Sequence, residues 1–526
     1  MALSIEELRT REINFEEYIE SFLISERGGY TKGAGTFDHA YGIYSDTLLS
    51  FVKETQAKEW KRFAMQNPGN TEEAFCRCFS NAVTADGMLS VLRHGFKHRG
   101  IAFKVCYFKP ESHLNALSDE HYQKNRIECY RQWFYSAECS KSVDMVLAVN
   151  GIPLIALELK NQLTGQSVTN ARLQWQNDRD PREIVFQFNS RILAFFCVDL
   201  YDVYMTTKLN GKSTFFLPFN QGSAGAGKDG GKGNPSTTDK DYITSYLWED
   251  ILQKDSMMDI LQKFLHLQVK EEKKYTDDGE VEIVKKQTLI FPRYHQLDVV
   301  RKLVADVKEH GSGNNYLIQH SAGSGKSNSI AWTAYRMASL HNDKNEAIFD
   351  SVIIVTDRRV LDQQLQATVS SFDHTLGTVV TIDEKKSSQD LKNAINDGKR
   401  IIVTTLQKFP VIYDQVKDTA GKHFAIIVDE AHSSQTGQSA IKLKTALADV
   451  HDALKEYAEL EGKAEEEIDK KDIFVQEMLS QGRHKNLSFF AFTATPKGKT
   501  LEIFGEAYPD GSFHPFHIYS MKQASE

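Results

Sequence analysis

The chain has 526 residues, of which 41% are apolar and 25% charged, and its formal net charge is −8 at pH 7. At about 100–200 residues per domain this length predicts three or four domains, and the acidic balance argues against a protein coated by nucleic acid while allowing a local basic groove. No apolar run approaches the ~20 residues of a membrane span, the N-terminal stretch is unlike a signal peptide, and the six cysteines include no CxxC pair. We therefore expect a cytoplasmic protein with no disulfide framework and no zinc site.

The first informative stretch, residues 142–160, reads SVDMVLAVNGIPLIALELK and predicts a β-hairpin, because two apolar runs flank an Asn-Gly pair. Asp144 is followed fourteen residues later by Glu158-x-Lys160, the D…ExK arrangement of metal-dependent nucleases. Two carboxylates can hold Mg²⁺, and the ammonium of Lys160 can lie near the attacking water. The alternative interpretation is a charged strand end, since this short pattern is common by chance.

The register of the hairpin decides whether the two carboxylates can cooperate. A two-residue turn at Asn150 and Gly151 would place Asp144 and Glu158 on opposite faces of the strands. A three-residue loop over 149–151, with Gly151 at positive φ, would gather the charged residues on one face and leave the other wholly apolar. Because hydrophobic segregation and the chemistry select the same register, we predict the three-residue loop.

Two glycine-rich stretches follow, GSAGAGKD at residues 222–229 and HSAGSGKS at residues 320–327. The first fits the Gly-x4-Gly-Lys part of the phosphate-loop pattern, whereas His320 replaces the leading glycine in the second. A phosphate loop must leave a buried strand and open a helix, and no apolar run borders residues 220–238. We therefore predict a flexible linker or exposed loop there and a nucleotide site at residues 320–327.

The sequence on either side of residues 320–327 supports that choice. Residues 315–319 (NYLIQ) predict a strand, and residues 328–340 have the apolar spacing of a helix. In such a loop the backbone and one lysine bind the phosphates, and a hydroxyl binds Mg²⁺. These predicted roles fall on Gly323, Ser324, Gly325, Lys326 and Ser327. The alternative interpretation is a Gly/Ser turn without a ligand.

Four further apolar runs each carry polar residues at their carboxyl ends, which predicts an α/β fold with a parallel, doubly wound sheet and a ligand crevice along the strand ends. These runs are residues 350–358, 399–409, 423–432 and 487–496. In the third run Asp429 is placed to hold Mg²⁺ and Glu430 to orient the attacking water.

GSGKS, DEAH and TATP, in this order, resemble the first motor lobe of superfamily 2 helicases and translocases. The resemblance implies ATP as the nucleotide, with Gln296, in FPRYHQLDVV, reading the adenine. It also implies that Thr493 and Thr495 couple the nucleotide state to the nucleic acid. Residues 497–526 are too few for another lobe, so we expect the second motor lobe to be absent.

Together with D…ExK, this order of motifs resembles the restriction (R) subunit of type I restriction-modification enzymes. The resemblance implies an ATP-driven translocase and Mg²⁺-dependent nuclease acting on double-stranded DNA, in complex with methyltransferase and specificity subunits. It carries over Gln174 as a catalytic residue, although Asp178 stands where the family has a tyrosine. It also offers Glu16 or Glu20 as a helper of the metal site, but we interpret both as helix-surface glutamates.

The predicted architecture is an N-terminal PD-(D/E)xK nuclease domain over residues 1–240, a linker region over 241–280 containing helices and a charged strand pair, and a RecA-like lobe over 281–526. Residues 455–472 predict a solvated helix. Two alternatives stay open. One is a DNA-binding scaffold whose nuclease or motor is inactive, and the other is a free-standing helicase-nuclease of DNA repair.

Overall fold

The structure is a computed structural model and describes residues 5–110, 116–161, 165–275, 281–356, 365–370, 372, 379–382, 388–405, 421–429, 485–496 and 498–525. The predicted helix at residues 455–472 lies outside these ranges. The chain divides into two compact units, the first formed by residues 1–223 and 233–294 and the second by residues 224–232 and 295–526. None of the helices in the described ranges combines the length and apolar character needed to span a bilayer.

The first unit is built on a mixed seven-stranded sheet with the strand order β1-β4-β5-β6-β7-β8-β9. Every residue of β6 is buried, so the sheet is covered on both faces at its centre. Pairing is antiparallel except for β1 with β4 and β6 with β7. The strands are β1 (Thr31–Lys32), β4 (Ile127–Phe134), β5 (Ser142–Val149), β6 (Ile152–Leu159), β7 (Ala194–Val198), β8 (Val203–Thr206) and β9 (Leu217–Pro218), and a separate hairpin joins β2 (Phe96–His98) to β3 (Ile101–Phe103).

Helices of the first unit pack against this sheet. The helices are α1 (Ile5–Leu23), α2 (Ser45–Thr55), α3 (Ala57–Gln66), α4 (Thr71–Asp86), α5 (Met88–His94), α6 (Ala116–Gln123) and α7 (Val168–Asn177). Helix α7 begins with a capping box at Ser167 and buries Trp175 against Phe195, with ring centroids 5.1 Å apart. This packing fixes the segment that follows the candidate nuclease strands.

Residues 241–290 belong to the first unit, whereas the sequence predicted a linker over residues 241–280. They form short helical segments at Ile243–Ser245, Leu247–Ile251, α8 (Lys254–Asp259) and Ile260–Phe264, and then an antiparallel pair, β10 (His266–Tyr275) and β11 (Val281–Ile290). The indole of Trp248 is fully buried, and its ring meets Phe15 of α1 edge to face at 5.8 Å. The segment therefore helps to hold α1 on the unit.

The second unit contains a parallel seven-stranded sheet with the order β14-β15-β13-β16-β17-β12-β20. Its strands are β12 (Asn315–His320), β13 (Ser351–Thr356), β14 (Val379–Ile382), β15 (Ile401–Thr405), β16 (Phe424–Asp429), β17 (Leu487–Thr493) and β20 (His517–Tyr519). The five strands predicted from apolar runs are confirmed, and the predicted α/β fold with them. The sequence analysis missed β14 and β20, which are short.

Helices accompany the described strands of this sheet, among them α9 (Tyr294–His310), α10 (Lys326–Ser339), α11 (Ser388–Asn396), α12 (Gly498–Phe504) and α13 (Met521–Ala524), and residues 365–370 are also helical. A small antiparallel pair joins β18 (Glu506–Ala507) to β19 (Phe513–His514). Because all seven strands run in parallel, their carboxyl ends share one edge of the sheet, and this edge carries the candidate nucleotide residues.

Candidate functional site

The turn between β5 and β6 has two residues. Val149 pairs with Ile152, and the intervening Asn150 and Gly151 have φ of 51° and 80°. The predicted three-residue loop is therefore wrong, although Gly151 does have the expected positive φ.

Contacts from distant parts of the chain favour the shorter turn. The side chain of Asn150 accepts a hydrogen bond from the backbone N–H of Arg126 at 2.7 Å and donates one to the Val105 carbonyl at 2.8 Å. A Cβ atom on Gly151 would lie only 2.3 Å from the Tyr44 carbonyl oxygen. These partners hold both turn residues in the left-handed region, which asparagine and glycine tolerate best.

A bulge near the turn restores the strand face that the sequence predicted for the carboxylates. The pairing shifts between Leu147 and Ala148, which makes Leu154 an extra residue on β6. Because successive side chains point to opposite faces, one extra residue offsets the change in turn length. Asp144 and Glu158 consequently lie on the same face.

Lys160 lies between the two carboxylates. Its Nζ is 3.4 Å from Oδ2 of Asp144 and 4.0 Å from Oε2 of Glu158. The backbone N–H of Leu159 donates a hydrogen bond of 2.7 Å to Asp144 Oδ2, which ties the end of β6 to β5. The proximity predicted for these three side chains is confirmed, and their catalytic roles remain predictions.

Arg179 completes the cluster, and the sequence analysis missed it. Its Nε donates to Glu158 Oε1 at 3.0 Å, and its Nη2 donates both to the same oxygen and to the Ser142 carbonyl, the latter at 2.7 Å. The guanidinium is buried and lies over the ring of Tyr135, 5.4 Å from its centroid. Charge-assisted bonds from a rigid guanidinium fix the direction in which a carboxylate points.

Little in the sequence could have identified Arg179. It stands in the stretch NDRDPR, just after α7, between Asp178 and Asp180. A basic residue flanked by acids suggests exposed local ion pairs, and Arg182 does form such a pair with Asp180. Only the packing of α7 shows that Arg179 instead turns inward.

The electrostatics of Glu158 suit a bound cation. Burial raises the pKa of this carboxyl well above its ordinary value, and Asp144 adds to the rise, whereas Arg179 and Lys160 oppose it. Its Oε2 atom is buried and has no hydrogen-bond partner among the described residues. Oxygen ligands from two carboxylates are what Mg²⁺ prefers, so Asp144 and Glu158 fit this ion. Across the described ranges, no group of three or more His, Cys, Asp and Glu side chains gathers as metal ligands.

Glu16 and Glu20 on α1 are buried, being 7% and 6% exposed, so their interpretation as helix-surface glutamates is wrong. Glu16 accepts hydrogen bonds from Gln132 at 3.0 and 3.1 Å, and both glutamates approach Arg131 within 3.4 Å. Burial, followed by the charge of Asp144, raises the pKa of Glu16 to about 7, against the opposing effects of Gln132 and Arg131. This link to Asp144 makes Glu16 the candidate helper of the nuclease cluster.

Gln174 lies half-buried on α7. Among the hydrogen bonds between described residues, none joins its side chain to Asp144, Glu158 or Lys160. Its neighbour Trp175 is the residue of that turn that packs into the core. The catalytic role carried over to Gln174 therefore stays a prediction without a contact to support it.

In the second unit, residues 320–327 form a tight connection between β12 and α10. Gly323 and Gly325 have φ of 77° and 79°, and Gly325 is the N-cap residue of α10. Within the described ranges no backbone carbonyl accepts a hydrogen bond from the N–H of either glycine. These donors and the start of the helix can therefore face phosphate oxygens. Lys326 Nζ is 3.4 Å from the His320 carbonyl, so the ammonium folds over the loop.

The first turn of α9 supports the far end of this loop. Gln296 Nε2 donates to the carbonyl of Gly325 at 3.0 Å and to that of Ser324 at 3.4 Å, and the ring of His295 bonds the Ser324 carbonyl at 3.0 Å. A Cβ atom on Gly325 would lie 2.5 Å from Gln296 Nε2. The predicted adenine-reading residue is thus held against the phosphate loop, while its contact with adenine remains a prediction.

Asp429 is the last residue of β16 and is buried. It stands opposite Phe492 of β17, which in turn stands opposite Ile318 of β12. At ~4.8 Å per strand, the Cα atoms of Asp429 and Ile318 are about 10 Å apart, at the same edge of the sheet as the phosphate loop. Thr493, at the end of β17, accepts a hydrogen bond from the N–H of Thr495 at 3.3 Å. Glu430 lies outside the described residues, and the Mg²⁺ roles of Ser327 and Asp429 stay predictions.

Two protein families match the two parts of the chain that carry these sites. Residues 40–214 match the family described as Type I restriction enzyme R protein N terminus, and residues 295–453 match the SWI2/SNF2 ATPase family. Among solved structures, the UvsW helicase from bacteriophage T4 is similar at 15% identity, covering 42% of this chain and 61% of that one, with a TM-score of 0.23.

Curated relatives agree with the match to type I restriction enzymes. A type I restriction enzyme endonuclease subunit of Haemophilus influenzae, named HindI, is 25% identical over 331 residues, covering 62% of this chain and 29% of its own length. One of Staphylococcus aureus strain COL, named SauCOLORF180P, is 21% identical over 439 residues, covering 79% and 36% respectively. The chain thus spans about a third of the length of these relatives. Residues 40–214 are thus similar to the N-terminal domain of type I restriction enzyme R proteins, and residues 295–453 are similar to SWI2/SNF2 ATPases.

Proposed function

We propose that this chain supplies the nuclease domain and the first ATPase lobe of the restriction subunit of a type I restriction-modification enzyme. The second unit binds ATP with Mg²⁺ and drives movement along double-stranded DNA, and the first unit cuts that DNA with a Mg²⁺-dependent nuclease. Methyltransferase and specificity subunits choose the site, and the complex works in the cytoplasm. The proposal is carried by the cluster of Asp144, Glu158 and Lys160 in a chain that also contains a phosphate loop.

In the nuclease, Asp144 and Glu158 would hold Mg²⁺. When bound, this ion supplies positive charge that offsets the charge developing on the phosphodiester. Lys160, within 3.4 Å of Asp144, can donate a hydrogen bond to the attacking water or to a phosphate oxygen. Arg179 holds Oε1 of Glu158 and leaves Oε2 for the ion.

In the motor, the N–H groups of Gly323 and Gly325 and the ammonium of Lys326 would bind the phosphates of ATP. Ser327 and Asp429 would hold the accompanying Mg²⁺, and Glu430 would orient the attacking water. Gln296 would read the adenine from the first turn of α9.

The test uses the assembled enzyme with its methyltransferase and specificity subunits. Asp144→Ala and Lys160→Ala should abolish plasmid linearisation while ATP hydrolysis and displacement of a DNA triplex continue, because the cluster stabilises only the phosphodiester transition state. Lys326→Ala and Glu430→Gln should stop both activities, because movement along DNA must precede cutting.

Lys141→Ala is the matched control, since Lys141 lies just before β5 but pairs with Asp178 at the surface. It should leave both activities intact. Linearisation by the Asp144 variant would refute the nuclease assignment, and a Lys160 variant that fails to displace the triplex would refute the division of labour. Purification of the chain from its host without a methyltransferase subunit would favour a free-standing helicase-nuclease.

A further inference from the structure

His320, the residue that breaks the phosphate-loop pattern, is completely buried at the end of β12. Its Nε2 is 2.9 Å from Nδ1 of His517, a residue of the edge strand β20. The next residue of the loop, Ser321, donates its backbone N–H to the Tyr519 carbonyl on the same strand at 3.0 Å. Both backbone and side chain therefore attach the beginning of the phosphate loop to β20.

The contacts continue from His517 to helix α9. His517 Nε2 is 2.9 Å from Asp298 Oδ2, and Lys302, one turn farther along α9, places its Nζ 2.7 Å from the same oxygen. Burial would raise the pKa of Asp298, but the hydrogen bond from His517 and the charge of Lys302 hold it below its ordinary value. The carboxylate accepts the Nε2–H of His517, so Nδ1 of His517 accepts the Nε2–H of His320. This chain of hydrogen bonds assigns one tautomer to each imidazole.

Helix α9 consequently holds the phosphate loop at both ends. His295 and Gln296 contact the carbonyls of Ser324 and Gly325, where the loop enters α10. Asp298 lies three residues after His295 on α9 and contacts His517, which in turn contacts His320 at the other end of the loop. A histidine at the leading position gives the loop a side-chain anchor that the glycine of the usual pattern could not supply.

The other glycine-rich stretch packs against the same group of residues. Residues 224–232 belong to the second unit, where Lys302 Nζ donates to the Ala226 carbonyl at 3.1 Å and the N–H of Ile518 donates to the Gly227 carbonyl at 2.8 Å. Gly227 has φ of 75°, and a Cβ atom there would lie 2.7 Å from Cδ2 of His517. The expectation of a flexible linker or exposed loop at this stretch is therefore wrong for residues 226 and 227, which pack against β20 and α9.

We propose that Asp298 and His517 are positioning residues of the nucleotide site, which hold the phosphate loop through His320 and are themselves steadied by Lys302 and the segment 224–232. The proposal rests on the assignment of residues 320–327 as the nucleotide site. A purely structural role for the same buried pair would affect folding stability alone. A positioning role also changes nucleotide affinity, and that change depends on the presence of His320.

The first experiment compares two acidic residues of α9 that each contact a histidine. Asp298→Asn should weaken binding of a fluorescent ATP analogue to the full chain about tenfold, a change of about 1.4 kcal/mol. Asp306→Asn is the matched control, because Asp306 contacts Tyr316 at 2.7 Å and His310 at 3.3 Å, and neither of these residues belongs to the loop at 320–327. Equal affinities of the two variants and the unaltered chain would overturn the proposal. Lys326→Ala, measured alongside, tests the nucleotide site itself, since its loss of binding is expected whether or not Asp298 matters.

A double-mutant cycle identifies His320 as the intermediary. His517→Phe keeps a ring at β20 but removes both hydrogen bonds, and it should weaken nucleotide binding in the unaltered chain. In a His320→Gly background, where the leading glycine of the pattern is restored, the same change should have little further effect on affinity. Additive losses in the two backgrounds would overturn the positioning role. Urea unfolding of each variant checks that the compared proteins are folded.

The last arm tests the segment 224–232 without altering either histidine. Gly227→Ala should displace His517 and reduce nucleotide affinity. Gly225→Ala is the control, because Gly225 also has positive φ, 92°, but a Cβ atom there would meet nothing within 4 Å. Equal nucleotide affinities of the two variants would show that the segment does not steady the loop.

Discussion

The two candidate sites differ in what holds their functional groups. In the first unit, charged side chains hold one another: Arg179 and Lys160 face the buried Glu158, and Arg131 faces Glu16. In the second unit, the candidate phosphate loop at residues 320–327 is held mainly through its backbone, with glycines at positive φ and carbonyls bonded by α9, and also through the buried side chain of His320. A site held mainly by backbone atoms (a backbone site) can be recognised from a short local sequence pattern. A site held by charged side chains (a side-chain site) depends on partners that only the fold brings together.

The largest effect should come from removing the buried partner of Glu158. Arg179→Met removes the guanidinium bonded to the buried Glu158 and leaves Lys160, 4.0 Å away, as the remaining cation near this carboxylate. Breaking such a buried pair costs about 3–5 kcal/mol. Urea unfolding of the full chain measures this loss. Arg182→Met is the matched control in the same segment, because Arg182 is 89% exposed in its pair with Asp180 and should change the free energy of unfolding little.

A second substitution separates stability from chemistry at this pair. The double variant Arg179→Met with Glu158→Gln should regain much of the lost stability, because neither buried charge remains. It should still fail to cleave DNA in the assembled enzyme, because a carboxylate that we propose as a Mg²⁺ ligand is gone. If Arg179→Met were as stable as the control, buried charged side chains would not be what holds the first site together.

The fold was predictable where the signal is local. Apolar runs with polar carboxyl ends predicted β12, β13, β15, β16 and β17, because a strand buried on both faces needs a nearly continuous apolar sequence. The edge strand β20 has only three residues, and its pairing with β12 depends on chain folded more than 190 residues earlier. Edge strands of this length carry no pattern of their own.

The candidate nuclease site was predictable in part for the same reason. Alternation along β5 and β6 predicted that Asp144 and Glu158 share a face, because one misplaced residue would bury charge and expose apolar side chains. The turn length was wrong because Asn150 and Gly151 respond to Arg126, Val105 and Tyr44, which are remote in sequence. Arg179 was missed, and Glu16 was wrongly interpreted as a helix-surface glutamate, for the same reason, since local sequence does not show which charged residue a core will enclose.

The nucleotide should bind at residues 320–327 and not at the other glycine-rich stretch, residues 222–229. Lys326→Ala should weaken nucleotide binding about 10- to 100-fold, since a hydrogen bond to a charged group contributes ~1.5–3 kcal/mol. Lys228→Ala, in the stretch that matches the pattern letter for letter, should leave binding unchanged. Titration of the full chain with a fluorescent ATP analogue measures both. A large effect from Lys228 with none from Lys326 would reverse the assignment of the two stretches.

A smaller effect on stability is expected at the turn of Asn150 and Gly151, whose conformation we attribute to tertiary contacts. Gly151→Ala and Gly100→Ala both place a Cβ atom at positive φ, 80° and 78°, and such strain costs about 1–3 kcal/mol in each case. Only at Gly151 would the new atom also overlap a carbonyl oxygen, that of Tyr44, whereas Gly100 has open space. The Gly151 variant should therefore unfold at a lower urea concentration than the Gly100 variant. Equal midpoints would mean that the turn relaxes away from Tyr44.

The smallest effect is a pH dependence at the edge of the side-chain site. The pKa of Glu16 rises from 4.5 to about 7 chiefly through burial, so the folded state holds this proton more tightly than the unfolded state. The stabilisation is fully present below about pH 4.5 and is lost as the pH rises through about 7. Glu16→Gln mimics the protonated carboxyl, so the variant should lack this loss, and its stability relative to the unaltered chain should rise between pH 5 and pH 8.

Urea unfolding in a metal-chelating buffer measures the difference, and Glu17→Gln, an exposed neighbour on α1, supplies the control. We expect a modest change because Gln132 and Arg131 already offset part of the burial. If Glu16→Gln followed the Glu17→Gln curve at every pH, Glu16 would not be a buried carboxylate coupled to Asp144, and the nuclease cluster would end at Arg179.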